Sequence, residues 1–141
     1  MRTRFINSTS RGLGGEWALA ALEHGDRVAA TARDTDALED LVAAYGQAVL
    51  PIALGVTDRP AVFTALAWAH EAFGRLDVVV NNAGHGHFGF IEEVTEQAAR
   101  AQLETNLFGA LWVTQPRYRP CARKTAATET RTRQLRKTAP R

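Results

Sequence analysis

The stretch Phe5-Ile6-Asn7-Ser8-Thr9-Ser10-Arg11-Gly12-Leu13-Gly14 constrains this chain more than any other. A short apolar segment passes into a polar turn bearing two glycines, and Glu16-Trp17-Ala18-Leu19-Ala20 then opens a helix. Strand, tight turn and helix in succession bring main-chain N–H groups and the positive end of a helix dipole to one point, which suits a phosphate. Gly12 and Gly14 lack Cβ, so the backbone there can turn sharply and let a ligand approach. Two glycines at a turn are a weak signal alone. The rest of the chain has to agree.

It does so by alternation. After the turn, Leu13, Trp17, Ala20 and Ala21 recur at helical spacing, and Gly25 is a natural stop. Arg27–Ala32 reads as a strand buried on both faces. A second helix follows, capped by Asp34 or Thr35, with Leu38, Leu41, Val42 and Tyr45 on one face and Gly46 at its end. Ala48–Leu54 is a third strand, in which Pro51 suits an edge. A third helix starts near Asp58, with Pro60 in its first turn and Val62, Ala65, Leu66, Ala69 and Phe73 inward. The fourth strand is Leu76–Val80, running into Asn81-Asn82-Ala83-Gly84. Strands alternating with helices predict an α/β fold with a parallel sheet. Beyond a glycine-rich loop, Thr95 caps a long helix to about Gln115, with Leu103, Leu107, Ala110, Leu111 and Thr114 inward. Asn106 shares that face, and periodicity alone reads it as a satisfied core amide.

The net charge of +2 conceals a division. Up to Gln115 there are 8 Lys and Arg against 14 Asp and Glu, whereas from Pro116 onward there are 9 against Glu129 alone. No apolar run approaches the ~20 residues of a membrane span. The lone Cys121 can form no internal disulfide, which fits a cytoplasmic location.

Gly12-Leu13-Gly14, then Asn81-Asn82-Ala83-Gly84, then Asn106 on the next helix, together resemble a short-chain dehydrogenase/reductase over residues from about Phe5 to Gln115. The resemblance implies a Rossmann-like, doubly wound parallel sheet of about four strands in the order 3-2-1-4, with flanking helices. It implies an oxidoreductase that reduces a carbonyl or oxidises an alcohol with a nicotinamide dinucleotide. The family turn reads Thr-Gly-x-x-x-Gly-x-Gly and binds the pyrophosphate. By this likeness Ser10, Arg11, Gly12, Leu13, Gly14, Arg33, Val56, Asn81, Ala83 and Gly84 are the cofactor-binding candidates. Asn106 becomes the one catalytic candidate, as part of a proton relay. Arg11 and Arg33 flank the expected 2′-phosphate and favour NADP over NAD; Asp34 is the rival marker for NAD. His85 is expected on the substrate side, and His85-x-His87 without further ligands makes no metal site.

Three departures stand out. Ser8 replaces the first glycine of the family turn, and Gly55 replaces an Asp or Asn beside the adenine; each should weaken binding. The family's later Ser and Tyr-x-x-x-Lys have no counterpart here, since Lys124 lies six residues beyond Tyr118. The chain as it stands is therefore expected to be inactive, a residual dinucleotide-binding module being the alternative.

Residues 116–141 are poor in large apolar side chains and rich in Arg, Thr, Ala and Pro. A segment of this composition buries no core and is expected to be a disordered basic tail behind a partial domain of residues 1–115. A truncated or frameshifted gene explains the abrupt change; a nucleic-acid arm is the lesser reading. The fourth strand, Leu76–Asn81, is then expected to be a bare edge through which copies associate.

Overall fold

Strands with apolar residues at consecutive positions need cover on both faces. The computed structural model, which describes residues 1–116 and 128–130, provides it. Strands β1 (Thr3–Ile6), β2 (Arg27–Ala32), β3 (Val49–Ala53) and β4 (Val78–Asn81) are separated by helices α1 (Leu13–Glu23), α2 (Glu39–Tyr45) and α3 (Arg59–Phe73). All pairings are parallel, and the four strands lie in the order 3-2-1-4, as expected. Phe5 and Ala29 point to one core with Val62, Leu66 and Ala69 of α3. Their neighbours Ile6, Val28 and Ala30 point to the other, with Ala18 and Leu22 of α1. Pro51 sits on β3, the edge strand, opposite Ala30.

The helix ends follow local chemistry. Asp58 caps α3 by accepting the Ala61 N–H at 3.0 Å, Pro60 lies in the first turn, and Gly74 ends the helix at φ +73°. Before α2 the chain makes one 3₁₀ turn, Asp36–Leu38, and Asp34 Oδ1 accepts the Asp36 N–H at 3.1 Å. The long helix expected after Thr95 is present but interrupted. It consists of α4 (Glu96–Leu103), a π-helical turn (Glu104–Gly109) and α5 (Ala110–Thr114). Thr95 caps it through the Ala98 N–H.

Two helix faces need correction. In α1 the buried residues are Gly14, Ala18, Ala21 and Leu22, while Leu13 and Trp17 are substantially exposed. In α5 and the π turn the buried residues are Gly109 and Val113, whereas Leu103, Leu107 and Leu111 are each about half exposed. The physical reason is the same in both. Each helix lies so close that its contact stripe holds glycine: a Cβ on Gly14 would come within 2.2 Å of the Ser8 carbonyl oxygen, and one on Gly109 within 2.7 Å of Val56 Cγ2.

A further short strand, β5 (Thr128–Thr130), pairs in parallel with Val79–Asn81. The expectation of a bare fourth-strand edge is therefore corrected over these residues, where a piece of the basic segment supplies main-chain partners. Ladder bonds use only the main chain, so polar composition did not announce the strand. The rest of the segment expected to be disordered, residues 117–127 and 131–141, including Tyr118, Cys121 and Lys124, lies outside the described residues.

At the strands' N-terminal ends two carboxylates fasten the sheet. Asp26 accepts the Arg2 N–H at 2.7 Å and the Arg4 Nε–H at 2.8 Å. Asp77 accepts the Thr3 N–H at 2.9 Å and pairs with Arg75. Burial works against the charge of each, but these hydrogen bonds and the neighbouring arginines outweigh it and hold both carboxyls below their ordinary value.

Candidate functional site

In an open parallel sheet the connections leave a crevice at the strands' C-terminal ends, where the strand order reverses. Here that point lies between β1 and β4, and a cleft of about 780 Å³ opens there. The turn after β1 contributes Ser8, Ser10, Arg11 and Leu13 to its wall. Ala32, Arg33, Asp34 and Ala37 follow β2, and Leu54, Gly55, Val56 and Thr57 follow β3. Asn82, Ala83, Gly84 and His85 follow β4, and Thr105 reaches in from the π turn.

Seven of the expected cofactor residues thus line one cleft: Ser10, Arg11, Leu13, Arg33, Val56, Ala83 and Gly84. The other three are not part of its wall. Gly12 ends the turn at φ +62°, with open space where a Cβ would be. Gly14 faces the interior, where it admits the Ser8 carbonyl and Asn82. Asn81 is buried and turned away: its Oδ1 accepts from Asn7 Nδ2 at 3.1 Å and its Nδ2 donates to Thr114 Oγ1 at 3.0 Å.

Asn106 sits in the π turn, a helix irregularity often found at functional sites. Its side chain is exposed, not a core amide, and both its arms are occupied. Oδ1 accepts the His85 N–H at 2.9 Å, and Nδ2 donates to the His85 carbonyl at 2.7 Å. His87 N–H is held similarly by Gln102 Oε1 at 3.0 Å. The loop after β4 is thereby fixed to the helix, with His85 in the cleft wall.

The site's charge is positive. Neither Arg11 nor Arg33 has a carboxylate partner among the described residues. The start of α1 carries no side-chain cap, so its first N–H groups and its dipole remain available to an anion. Asp34 commits one oxygen to the Asp36 N–H. Ser8 adopts φ +58°, a left-handed conformation that favours glycine and costs another residue roughly 1–2 kcal/mol. Among the described residues no three His, Cys, Asp or Glu side chains gather around a metal position, and no helix is long and apolar enough to cross a membrane.

Sequence reasoning missed Asn7, Asn82 and Thr105. Asn7 is 1% exposed, and its Oδ1 accepts the N–H groups of Asn82 at 2.8 Å and Ala83 at 2.5 Å. Asn82 Nδ2 returns the bond to the carbonyls of Asn7 at 3.2 Å and Ser8 at 2.9 Å. A signal existed: Asn7 stands directly before the turn, at the position of the threonine in the family pattern.

Comparison with known proteins places this geometry. The "short chain dehydrogenase" family model matches residues 3–127. Oxidoreductase BOA17 of Botryotinia fuckeliana is 46% identical over 110 residues, which are 77% of this chain and 40% of that protein. A short-chain dehydrogenase from Streptomyces avermitilis superposes with a TM-score of 0.79 at 40% identity, over 82% of this chain and 43% of the other. An alcohol dehydrogenase from the archaeon Thermococcus sibiricus, complexed with 5-hydroxy-NADP, superposes with a TM-score of 0.77 at 33% identity, over 82% and 51%. The chain spans about half the length of these relatives, or less. A parallel sheet with its cleft at the strand-order reversal, a glycine-bearing turn in the wall of that cleft and a family match over most of its length lead to one assignment: this chain belongs to the short-chain dehydrogenase family.

Proposed function

We propose that the cleft binds a nicotinamide dinucleotide, NADP in preference to NAD, and that the protein descends from oxidoreductases acting on a carbonyl or an alcohol. One observation carries this reading: an uncapped helix start and two arginines without carboxylate partners among the described residues border the same 780 Å³ cleft. The volume lies within the range of small-molecule sites. The N–H groups around Gly12 and Leu13 would take the pyrophosphate, and Arg11 and Arg33 the 2′-phosphate. The NADP analogue held by the archaeal relative supports a nucleotide of this class. Asp34, the rival for a ribose hydroxyl, has one oxygen engaged in its own turn. When bound, the nicotinamide supplies or accepts a hydride; this chain's residues would orient it and exclude water.

Asn106 would act by holding His85 and its loop, because its amide oxygen and its amide nitrogen each bond the His85 main chain. The 141-residue sequence contains no Tyr-x-x-x-Lys pair, so this chain alone should bind cofactor without turnover. A carbonyl substrate belongs to the whole oxidoreductase. The lone cysteine favours a cytoplasmic location, and the half-exposed leucines of the α4–α5 helix favour self-association over nucleic-acid binding.

The test is titration of NADP and NAD against wild type and Arg33→Ala. Charge-assisted hydrogen bonds contribute about 1.5–3 kcal/mol each, or roughly ten- to a hundredfold in affinity. Arg33→Ala should therefore lower NADP affinity by at least tenfold and leave NAD nearly unchanged. An unaltered NADP/NAD ratio would remove Arg33 from the site and return Asp34 as the ribose partner. NADPH oxidation with simple aldehydes should stay at the buffer rate, and measurable turnover would refute the inactive reading.

A further inference from the structure

Side-chain hydrogen bonds join four elements around the cleft into a closed circuit. It starts at Asn7, at the end of β1, whose Oδ1 holds the N–H groups of Asn82 and Ala83 and whose Nδ2 donates to Asn81. From Asn81 the path runs to the Thr114 hydroxyl, which donates in turn to the Ala110 carbonyl at 2.7 Å. The helix then leads back from Ala110 through the π turn to Asn106. Asn106 brackets the main chain of His85, and Gly84 and Ala83 complete the return to Asn7. Asn82 ties the circuit to the turn by donating to the carbonyls of Asn7 and Ser8.

We propose that Asn7 is a positioning residue for the dinucleotide site, closing a hydrogen-bonded ring that fixes the glycine turn and the His85 loop relative to each other. The inference rests on the cleft being a dinucleotide site. Asn7 is not part of the cleft wall; it acts through Ser8 and Ala83, which are. The residue type matters because the position needs two chemically different arms, an acceptor toward Asn82 and Ala83 and a donor toward Asn81. A threonine there has a single oxygen, which cannot span both sides. Asn7 is buried at the meeting of β1 and β4, so neither arm has water as a substitute.

A ring makes a prediction that a set of independent bonds does not: once opened at any link, opening it elsewhere costs little more. Thr114 lies on an exposed part of the helix and outside the cleft wall, so it opens the ring without touching the ligand. In the full 141-residue chain, NADP affinity is measured together with hydrogen exchange at the amides of Ala83 and His85. Thr114→Val should speed exchange at the His85 amide at least fivefold and weaken NADP about three- to tenfold, and Thr114→Ser, which keeps the hydroxyl, should restore both. Asn7→Thr should do the same at the Ala83 amide. The double variant Asn7→Thr/Thr114→Val should bind no more weakly than the worse single variant, the non-additive result that shared networks give.

Multiplying losses in the double variant, or a Thr114→Val protein with wild-type exchange at His85, would overturn the ring. Should Asn7→Thr fail to fold, the comparison of Thr114→Val with Thr114→Ser decides by itself. If wild type binds neither NADP nor NAD, the dinucleotide reading fails separately. The exchange measurements then still decide on the ring, which faster exchange in Thr114→Val upholds and unchanged exchange overturns.

Discussion

Replacing Gly14 by alanine adds one methyl group, and the structure says what that methyl meets. A Cβ at position 14 falls 2.2 Å from the Ser8 carbonyl oxygen and 2.4 Å from Asn82 Nδ2, both well inside contact distance. The first is backbone and the second is the amide that holds that backbone in place, so neither can swing aside. Overpacking of this kind costs typically 1–3 kcal/mol, and rigid neighbours put this site at the upper end. Alanine in a helix returns at most about 1 kcal/mol over glycine. The net loss is about 2 kcal/mol, which at a urea slope of 1–3 kcal/mol/M lowers the unfolding midpoint by roughly 1 M. Gly15→Ala is the matched control, because its Cβ would meet only the Thr9 carbonyl oxygen, at 3.2 Å. Urea unfolding followed by circular dichroism compares the two variants with wild type. A Gly14→Ala protein as stable as Gly15→Ala would refute the claim that α1 is seated through glycine against the turn that follows β1.

Three further outcomes are expected. Val113→Ala should cost about 2 kcal/mol, two buried methyl-sized groups at ~0.8 kcal/mol each plus a small cavity, whereas Leu107→Gln should stay within about 0.5 kcal/mol, since Val113 is 2% exposed and Leu107 54%. Urea midpoints of the two variants check this, and the reverse ranking would restore the leucine face as the inner one. The carboxyls of Asp26 and Asp77 ionise more readily folded than unfolded, so their contribution is complete above the ordinary carboxylate value and is lost as pH falls through the lowered folded values. Asp26→Asn should therefore reduce stability near neutrality and flatten the acid limb of a midpoint-against-pH curve. Ser8→Gly should raise the midpoint by relieving φ +58°, with the effect read in the same unfolding assay.

The alternation of strands and helices was legible because each strand carries apolar residues on both faces and each helix stops at a residue suited to stopping it. Gly74 at φ +73° and Asp58 on the Ala61 N–H are instances. The inner faces of α1 and of the α4–α5 helix differ from their hydrophobic periodicity for a definite reason. Hydrophobic periodicity favours the largest apolar side chains, Leu13, Trp17, Leu103 and Leu107, whereas a helix lying close to its neighbours needs its smallest residues at the contact. The π turn adds to the error, because it shifts the helical phase between Leu103 and Gly109 and leaves no compositional mark. For the site, the cleft residues next to glycines and at strand ends could be read off, since motif and topology place them together. The motif puts Asn81 on the cofactor side, whereas its amide points inward to Asn7 and Thr114. A one-dimensional motif records which residues gather at a strand end, not which way each faces.

The sheet's two ends are fastened by different kinds of bond. At the end away from the cleft the fasteners are ionic, Asp26 with Arg4 and Asp77 with Arg75; beside the cleft they are neutral amides and a hydroxyl, from Asn7, Asn81, Asn82 and Thr114. Of these fasteners, protons therefore reach only those away from the cleft. Acid should loosen β1 from the rear, beginning at Arg2 and Thr3, while the amide bonds beside the cleft keep their full complement of donors and acceptors. The side-chain bonds that fasten the ligand-facing end of the sheet carry no titratable group, and the end that yields first is the one with no ligand to hold.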